Sequence, residues 1–562
     1  MAGPVLAWIG EGVLCVKVAC LNGLKLIKTR GPSQLQFWFI ALAIGIAAGF
    51  AALFFRLGIN WIQGLLYGAT DAARLETAVS RLAWYQVLII PILGGLAVGL
   101  ILDRFTDDGR ARSVSDVIEG AALNEGRVAV RRGFASALAS LITLSTGGSS
   151  GREGPVVHLA AVLSTIVCRL IRANGITGRD LLGCAVAAAV SASFNAPLAG
   201  ALFALEVVLR HFAVHAFAPI VIASVSGAVI NRLAFGDVTE FVLPVQNNLA
   251  FYVELPAFLL LGLVCGLVAF ILMRAVFWAD DLGTELQKAT GIPRYLRPAV
   301  AGALLGGLAI FWPHIVGVGY ETMSDALTGK MVMHEAIVFA VLKVVAVAIT
   351  FGGRMGGGIF SPSLMVGALT GLAFGAIATG IFPNMSGAVT IYALAGMGAV
   401  AAAVLGAPIS TTLIVFELTG DWQTAMAVMV SVSLSTALAS SLVDRSFFLT
   451  QLERRNVHLA AGPQAYLLAT FRVATVMRKA GSKRAAAEDA CWELVEQGVY
   501  IDGNATLERA MPMFEEANHA FIPVVTLGGD DSPPELWGAL FQVDALRAMN
   551  KALAATAKEE HS

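Results

Sequence analysis

The stretch "STGGSSGREGPVVHLAA" (145–161) sets a single carboxylate, Glu153, among glycines at the start of an apolar run. Glycines just before a helix let backbone amides converge without obstruction by side chains, and a proline in the first turn suits a helix start. That first turn leaves about four N–H donors unpaired and carries the positive end of the helix dipole. It is therefore an anion site by construction, with Gly151, Arg152 and Gly154 as the candidates around it. A carboxylate at its mouth competes with any permeant anion for the same donors, and protonation releases it. The competing reading is that a glycine-rich loop serves only close helix packing.

A second copy of the pattern weighs against packing alone. "GGSSGREGP" (147–155) is paralleled by "GGRMGGGIFSP" (352–362), with Ile359 and Phe360 at the new helix start and Phe360 standing where Glu153 stands in the first copy. Downstream of each loop, "FNAPLAGALFALEVV" (194–208) matches "LGAPISTTLIVFELT" (405–419), so Pro197 pairs with Pro408 and Glu206 with Glu417. An intramembrane carboxylate is a functional candidate by default. Glu206 and Glu417, repeat-related and near helix ends, read more simply as partners in structural hydrogen bonds or ion pairs. His158, on an apolar helix five residues beyond Glu153, reads as a core histidine. A duplicated membrane domain is the economical explanation, although the sequence alone does not show whether the copies are inverted.

The elements that must carry these loops are membrane-spanning. Of 562 residues 57% are hydrophobic and only 14% charged, against about 25% charged in a soluble domain. Apolar runs lie near 36–56, 86–103, 134–145, 155–171, 181–192, 197–213, 217–234, 250–278, 297–312, 335–351, 359–381, 388–405, 407–418 and 424–443. Several fall short of the roughly 20 residues a span requires. Interrupted helices at membrane depth are tolerated where they line a cavity. This suits a channel or transporter and not an enzyme, and the formal charge of −1 implies no nucleic-acid partner. Six scattered cysteines show no metal spacing. Residues 1–34 read as an interfacial helix on the cytoplasmic side, 35–450 as the membrane domain in two halves (about 35–235 and 250–450), and 451–562 as a soluble tail. In the tail, helices over 505–519 and from 543 bracket strand-like stretches at 521–527 and 536–542.

"GREGP" (151–155), "FNAPLAG" (194–200), "GGIFSP" (357–362) and "GAP…FELTGD" (406–421), in this order, resemble the CLC family of chloride channels and chloride/proton exchangers across essentially all of 35–450. The resemblance implies an all-α polytopic membrane protein with an inverted repeat and many tilted or broken helices. It also implies a homodimer with both termini cytoplasmic, expected in a bacterial inner membrane, that carries chloride and in some members protons. By resemblance Glu153 is the gate, and the amides of Ile359 and Phe360 hold the central chloride.

Three departures bear on mechanism. The first family motif is replaced by "GRARSVSDVIEGA" (109–121), which puts either Arg112 or Ser113 at the anion contact. The family's pathway tyrosine falls on Phe448, and the internal proton glutamate of many exchangers is Val207 here. The tail resembles a CBS domain, a small α/β unit, in which Asp544 is kept but Phe541 replaces the usual hydroxyl, so nucleotide is not expected and no cofactor is implied. The expectation is passive, channel-like chloride conduction gated by protonation of Glu153. The alternative is chloride/proton exchange without the internal glutamate. Fluoride export fits the motifs less well, and a scaffold with a vestigial pore is disfavoured by the intact loops.

Overall fold

The computed structural model describes residues 32–69, 74–212, 214–236, 251–383, 387–457, 459, 468, 471–482, 484–517, 519–526 and 535–560. The proposed N-terminal interfacial helix therefore lies almost wholly outside the described residues. Two series of eight helices follow one another. The first comprises α1 (Gln34–Tyr67), α2 (Trp84–Phe105), α3 (Val114–Leu123), α4 (Val130–Ser145), α5 (Glu153–Ile171), α6 (Gly175–Phe194), α7 (Pro197–Phe203) and α8 (Val214–Phe235). The second comprises α9 (Phe251–Thr290), α10 (Arg297–Phe311), α11 (Tyr320–Leu327), α12 (Met333–Gly352), α13 (Phe360–Ile381), α14 (Val389–Leu405), α15 (Pro408–Thr419) and α16 (Trp422–Leu442). Helix for helix, the second series repeats the order of the first. Eight helices among the described residues are long and apolar enough to cross a membrane.

Local sequence explains the boundaries. Pro197 and Pro408 occupy first-turn positions of α7 and α15, where a missing N–H costs nothing. Asn195 and Gly406 close α6 and α14 in the left-handed conformation that favours these residues. α6 beyond Asp180 and α14 are apolar on every side and buried along most of their length, as expected for helices surrounded by protein.

The halves are inverted. The loop after α1 lies on the membrane face away from the tail. Its counterpart after α9 lies on the tail side, where Arg294 binds Asp103 and donates to the Asp107 carbonyl at the foot of α2. The start of α3, on the same face, is tied to the chain just before the tail, because Arg455 pairs with Asp116 at 2.8 Å. On the far face, His314 after α10 meets Glu76 of the loop after α1 at 2.7 Å.

The main apolar core draws on both halves and continues through Phe447, Phe448, Leu452 and Leu459. A short helix, α17 (Phe447–Glu453), thus belongs to the membrane unit, and the boundary expected at 450 cuts through it. The tail has its own core. It comprises α18 (Val473–Val476), β1 (Arg478–Lys479), α19 (Glu488–Glu496), β2 (Ile501–Asp502), α20 (Leu507–Ala517), β3 (Phe521–Thr526), β4 (Glu535–Phe541) and α21 (Gln542–Glu560). Its sheet runs β1-β4-β3-β2, antiparallel except for the parallel β2–β3 pair.

Candidate anion pathway

The two glycine-rich loops, 207 residues apart, meet. Gly151 and Gly358 exchange both backbone hydrogen bonds at 2.7 Å, which sets the N-termini of α5 and α13 against each other. Only glycine fits this junction. Gly357 has φ +141°, and a Cβ there would lie 2.1 Å from Ser150 Oγ; at Gly151 it would lie 2.6 Å from Glu153 Oε2. Two sets of unpaired first-turn donors, each carrying partial positive charge, therefore converge from opposite halves.

Glu153 sits in this junction, 2% exposed. Ser361 donates its hydroxyl to Oε1 at 2.6 Å, while Oε2 has no hydrogen-bond partner among the described residues. Below the carboxylate, towards the tail side, runs a narrow cavity that can hold one water-sized body. It is lined by Ser113, Glu153, Gly154, Ile359 and Phe360 and closed by Phe203, Phe351, Phe447 and Phe448. The Phe360 ring packs on Phe194 and Phe203 at 4.7 and 5.8 Å. The cavity leads through Ser113, Phe351 and Gly357 to an antechamber walled by Arg110, Arg354, Arg454 and Arg455, with Asp280 among them. Asp280 pairs with Arg110 and Arg354, Asp281 with Arg454 and Asp116 with Arg455, so four guanidiniums against three carboxylates leave the antechamber with an excess of positive charge that favours anions.

The structure separates the two candidates for the first contact. Ser113 faces the cavity. Arg112 does not: Asp108 and Asp116 hold it at 3.1 and 3.2 Å, and Asp116 also accepts the Ser113 N–H at 2.9 Å. Arg112 is thereby held away from the cavity, its charge matched by these carboxylates. Arg152 is likewise outside the cavity. It lines a pocket on the far face with Glu76, His314 and Glu321, and its guanidinium lies 5.4 Å over the Tyr320 ring. Gly151 contributes through the backbone bridge and does not line the cavity. Val207 is buried in a π-helical turn, Ala204–Leu209, that continues α7 just past Phe203. His158 is buried in α5.

Glu206 and Glu417 form a reciprocal pair of helix caps. Glu417 accepts the Leu198 and Ala199 N–H groups at 2.9 and 2.8 Å, capping α7. Glu206 accepts those of Ile409 and Ser410 at 3.0 and 2.8 Å, capping α15. Each half thus neutralises the dipole of the other half's helix.

Sequence reasoning missed Ser361, Phe351, Phe447 and Lys343. Ser361 stood inside a quoted motif, yet nothing local pointed it at a residue 208 positions away. Lys343 is fully buried in α12 and donates to the Ile315 and Gly317 carbonyls at 3.3 and 2.8 Å. A lone lysine in an apolar run was its available signal. In the tail, Arg478 donates to Asp544 at 2.6 Å and lies 3.9 Å over the Phe541 ring, so that aspartate already has an arginine partner.

Paired helix N-termini from inverted halves, meeting around a buried carboxylate, define a polytopic membrane protein with an internal anion site. The family model described as voltage gated chloride channel matches residues 94–440. The chain is 31% identical over 396 residues to the "Putative chloride channel protein ClcB-like" of Ralstonia nicotianae, covering 70% of this chain and 91% of that protein. It is 27% identical to the "H(+)/Cl(-) exchange transporter ClcA" of Vibrio parahaemolyticus, covering 76% and 91%. A slow cyanobacterial Cl-/H+ antiporter has the same fold, with TM-score 0.66 at 20% identity over 75% of this chain and 98% of that one. The chain belongs to the voltage-gated chloride channel family, the CLC proteins.

Proposed function

We propose that this chain carries chloride across the membrane through the cavity below Glu153, passively, with protonation of Glu153 as the gate. One observation carries the reading: the carboxylate is seated between two helix N-termini with one oxygen bound and the other without a partner. An anion entering from the arginine antechamber meets the Ser113 hydroxyl and then the unpaired amides at the start of α13. The ionised carboxylate fills the last position by imitating the ion. Once neutral, it loses its attraction to those donors and yields the position, whereas fixed dipoles bind chloride without trapping it.

Val207 supports passive conduction, since it offers no proton carrier beyond Phe203. Exchange with protons is the second reading, supported by the likeness to the Vibrio H(+)/Cl(-) exchange transporter. Outward-facing Leu198 and Ile409 on the adjoining helices α7 and α15 suit a homodimer through that face. The tail side is assigned to the cytoplasm of a bacterial inner membrane, and no cofactor is assigned.

Simultaneous chloride and proton fluxes from purified protein in liposomes test the proposal. Chloride flux that rises at low pH without coupled protons is expected; uphill proton movement at fixed stoichiometry would establish exchange instead. Glu153→Gln should raise the flux and flatten its pH profile, and unchanged flux in a competent protein would remove the gate assignment.

A further inference from the structure

Helix α9 is 40 residues long, and between Glu254 and Asp280 it carries one charge, Arg274. Arg274 is exposed and makes no ion pair or hydrogen bond among the described residues. A guanidinium facing hydrocarbon is costly unless it reaches the interface, and a long side chain achieves this by laying its stem along apolar surface. Arg274 stands six residues, about 9 Å of helix, before the charges that begin at Asp280. That places it at the headgroup level on the tail side. One turn further on the same face, Trp278 is 66% exposed, as is usual for an interfacial aromatic.

Beside these residues lies an open groove between α9 and the end of α17. Phe270 and Ile271 form its apolar floor, and Arg274, Trp278, Asp281 and Arg454 its rim. Arg454 pairs with Asp281 and lies 5.2 Å over the Phe277 ring. Two guanidiniums against one carboxylate leave the groove one positive charge in excess, on Arg274. A phosphodiester supplies one negative charge and oxygen geometry that matches the guanidinium fork.

We propose that this groove binds one anionic phospholipid of the tail-side leaflet, with its phosphate on Arg274 and reachable N–H groups of Arg454, and an acyl chain along Phe270 and Ile271. Arg454 and Phe277 also wall the arginine antechamber, so the lipid sits against the entrance of the anion pathway. The inference rests on the membrane placement and not on the transport reading.

Native mass spectrometry of the full-length protein, titrated with phosphatidylglycerol or phosphatidylcholine, tests it. Wild type should hold one phosphatidylglycerol per chain more tightly than phosphatidylcholine. Arg274→Gln should weaken that lipid by about tenfold, the loss of one charge-assisted pair, and Arg274→Lys should fall between. The exposed position leaves folding intact, which the thermal midpoint checks. Excess inorganic phosphate should not displace the lipid, because the apolar floor gives it no advantage. The proposal is overturned if Arg274→Gln binds phosphatidylglycerol like wild type, if wild type does not distinguish the two lipids, or if free phosphate displaces the adduct. It also falls if Arg274→Gln alters chain association instead of lipid binding, which would make the groove a protein interface.

Discussion

Helix α20 of the tail carries Glu508, 3% exposed although it lies outside the membrane-spanning segments. Burial pushes its carboxyl up from the ordinary 4.5 to about 7, while Arg179 at the start of α6 and Arg210 after α7 pull it part of the way back. Asp180 and Glu125 surround Arg179, and Arg445 stands near Arg210. Arg179 also donates to the Ala122 carbonyl of α3 at 2.9 Å, the helix that begins at Ser113. With the tail docked, the carboxyl holds its proton up to about pH 7; undocked, it releases it above its ordinary value. The docked state binds more protons, so its stability is greatest below pH 4.5 and falls as pH rises to about 7, beyond which it is level. The gap between 4.5 and about 7 corresponds to about 3 kcal/mol at 1.36 kcal/mol per pH unit, an upper value of a few hundredfold in the docking equilibrium. Hydrogen exchange of the α20 amides in the full-length protein, corrected for intrinsic rates, should show protection declining from about pH 5 to about pH 7. Glu508→Gln, neutral throughout, should keep the acid-side protection at every pH. Protection that is flat or rises across this range in wild type would refute the reasoning, as would a Glu508→Gln variant that retains the full dependence.

Two further outcomes follow from the interface of the halves. Glu417→Gln keeps one acceptor for the Leu198 and Ala199 amides and turns an amide donor toward the other; it should lower stability by about 2 kcal/mol, read as a lower thermal midpoint. Glu206→Gln should behave alike at α15, and because α7 and α15 pack together the double variant should deviate from additivity. Gly357→Ala should be poorly tolerated: its methyl meets Ser150 Oγ, and Ser150→Gly in the same chain should restore folding only in part because φ stays at +141°.

Much of the architecture is legible locally. The spans expected at 359–381 and 388–405 reappear as Phe360–Ile381 and Val389–Leu405, since helices this apolar have no alternative in a membrane. The short helices α3 and α11 escaped notice because polar residues interrupt them. Glu206 and Glu417 could be recognised as a repeated pair, but their targets could not, since each caps a helix more than 200 residues away in sequence.

By itself, then, the amino-acid order determined the membrane class, the duplication, the glycine-bordered helix starts and the placing of Glu153 at one of them. These follow from hydropathy and backbone chemistry, which act over a turn or two of chain. The tertiary structure alone decided that the copies are inverted, that Gly151 bridges Gly358, that Ser361 holds Glu153, and that Ser113 and not Arg112 faces the cavity. The reason is physical: the Gly151–Gly358 and Ser361–Glu153 contacts join positions more than 200 residues apart, and although Asp108 and Asp116 each stand four residues from Arg112, only the packing of α3 against Arg455 and α17 sets which side of that stretch meets the cavity.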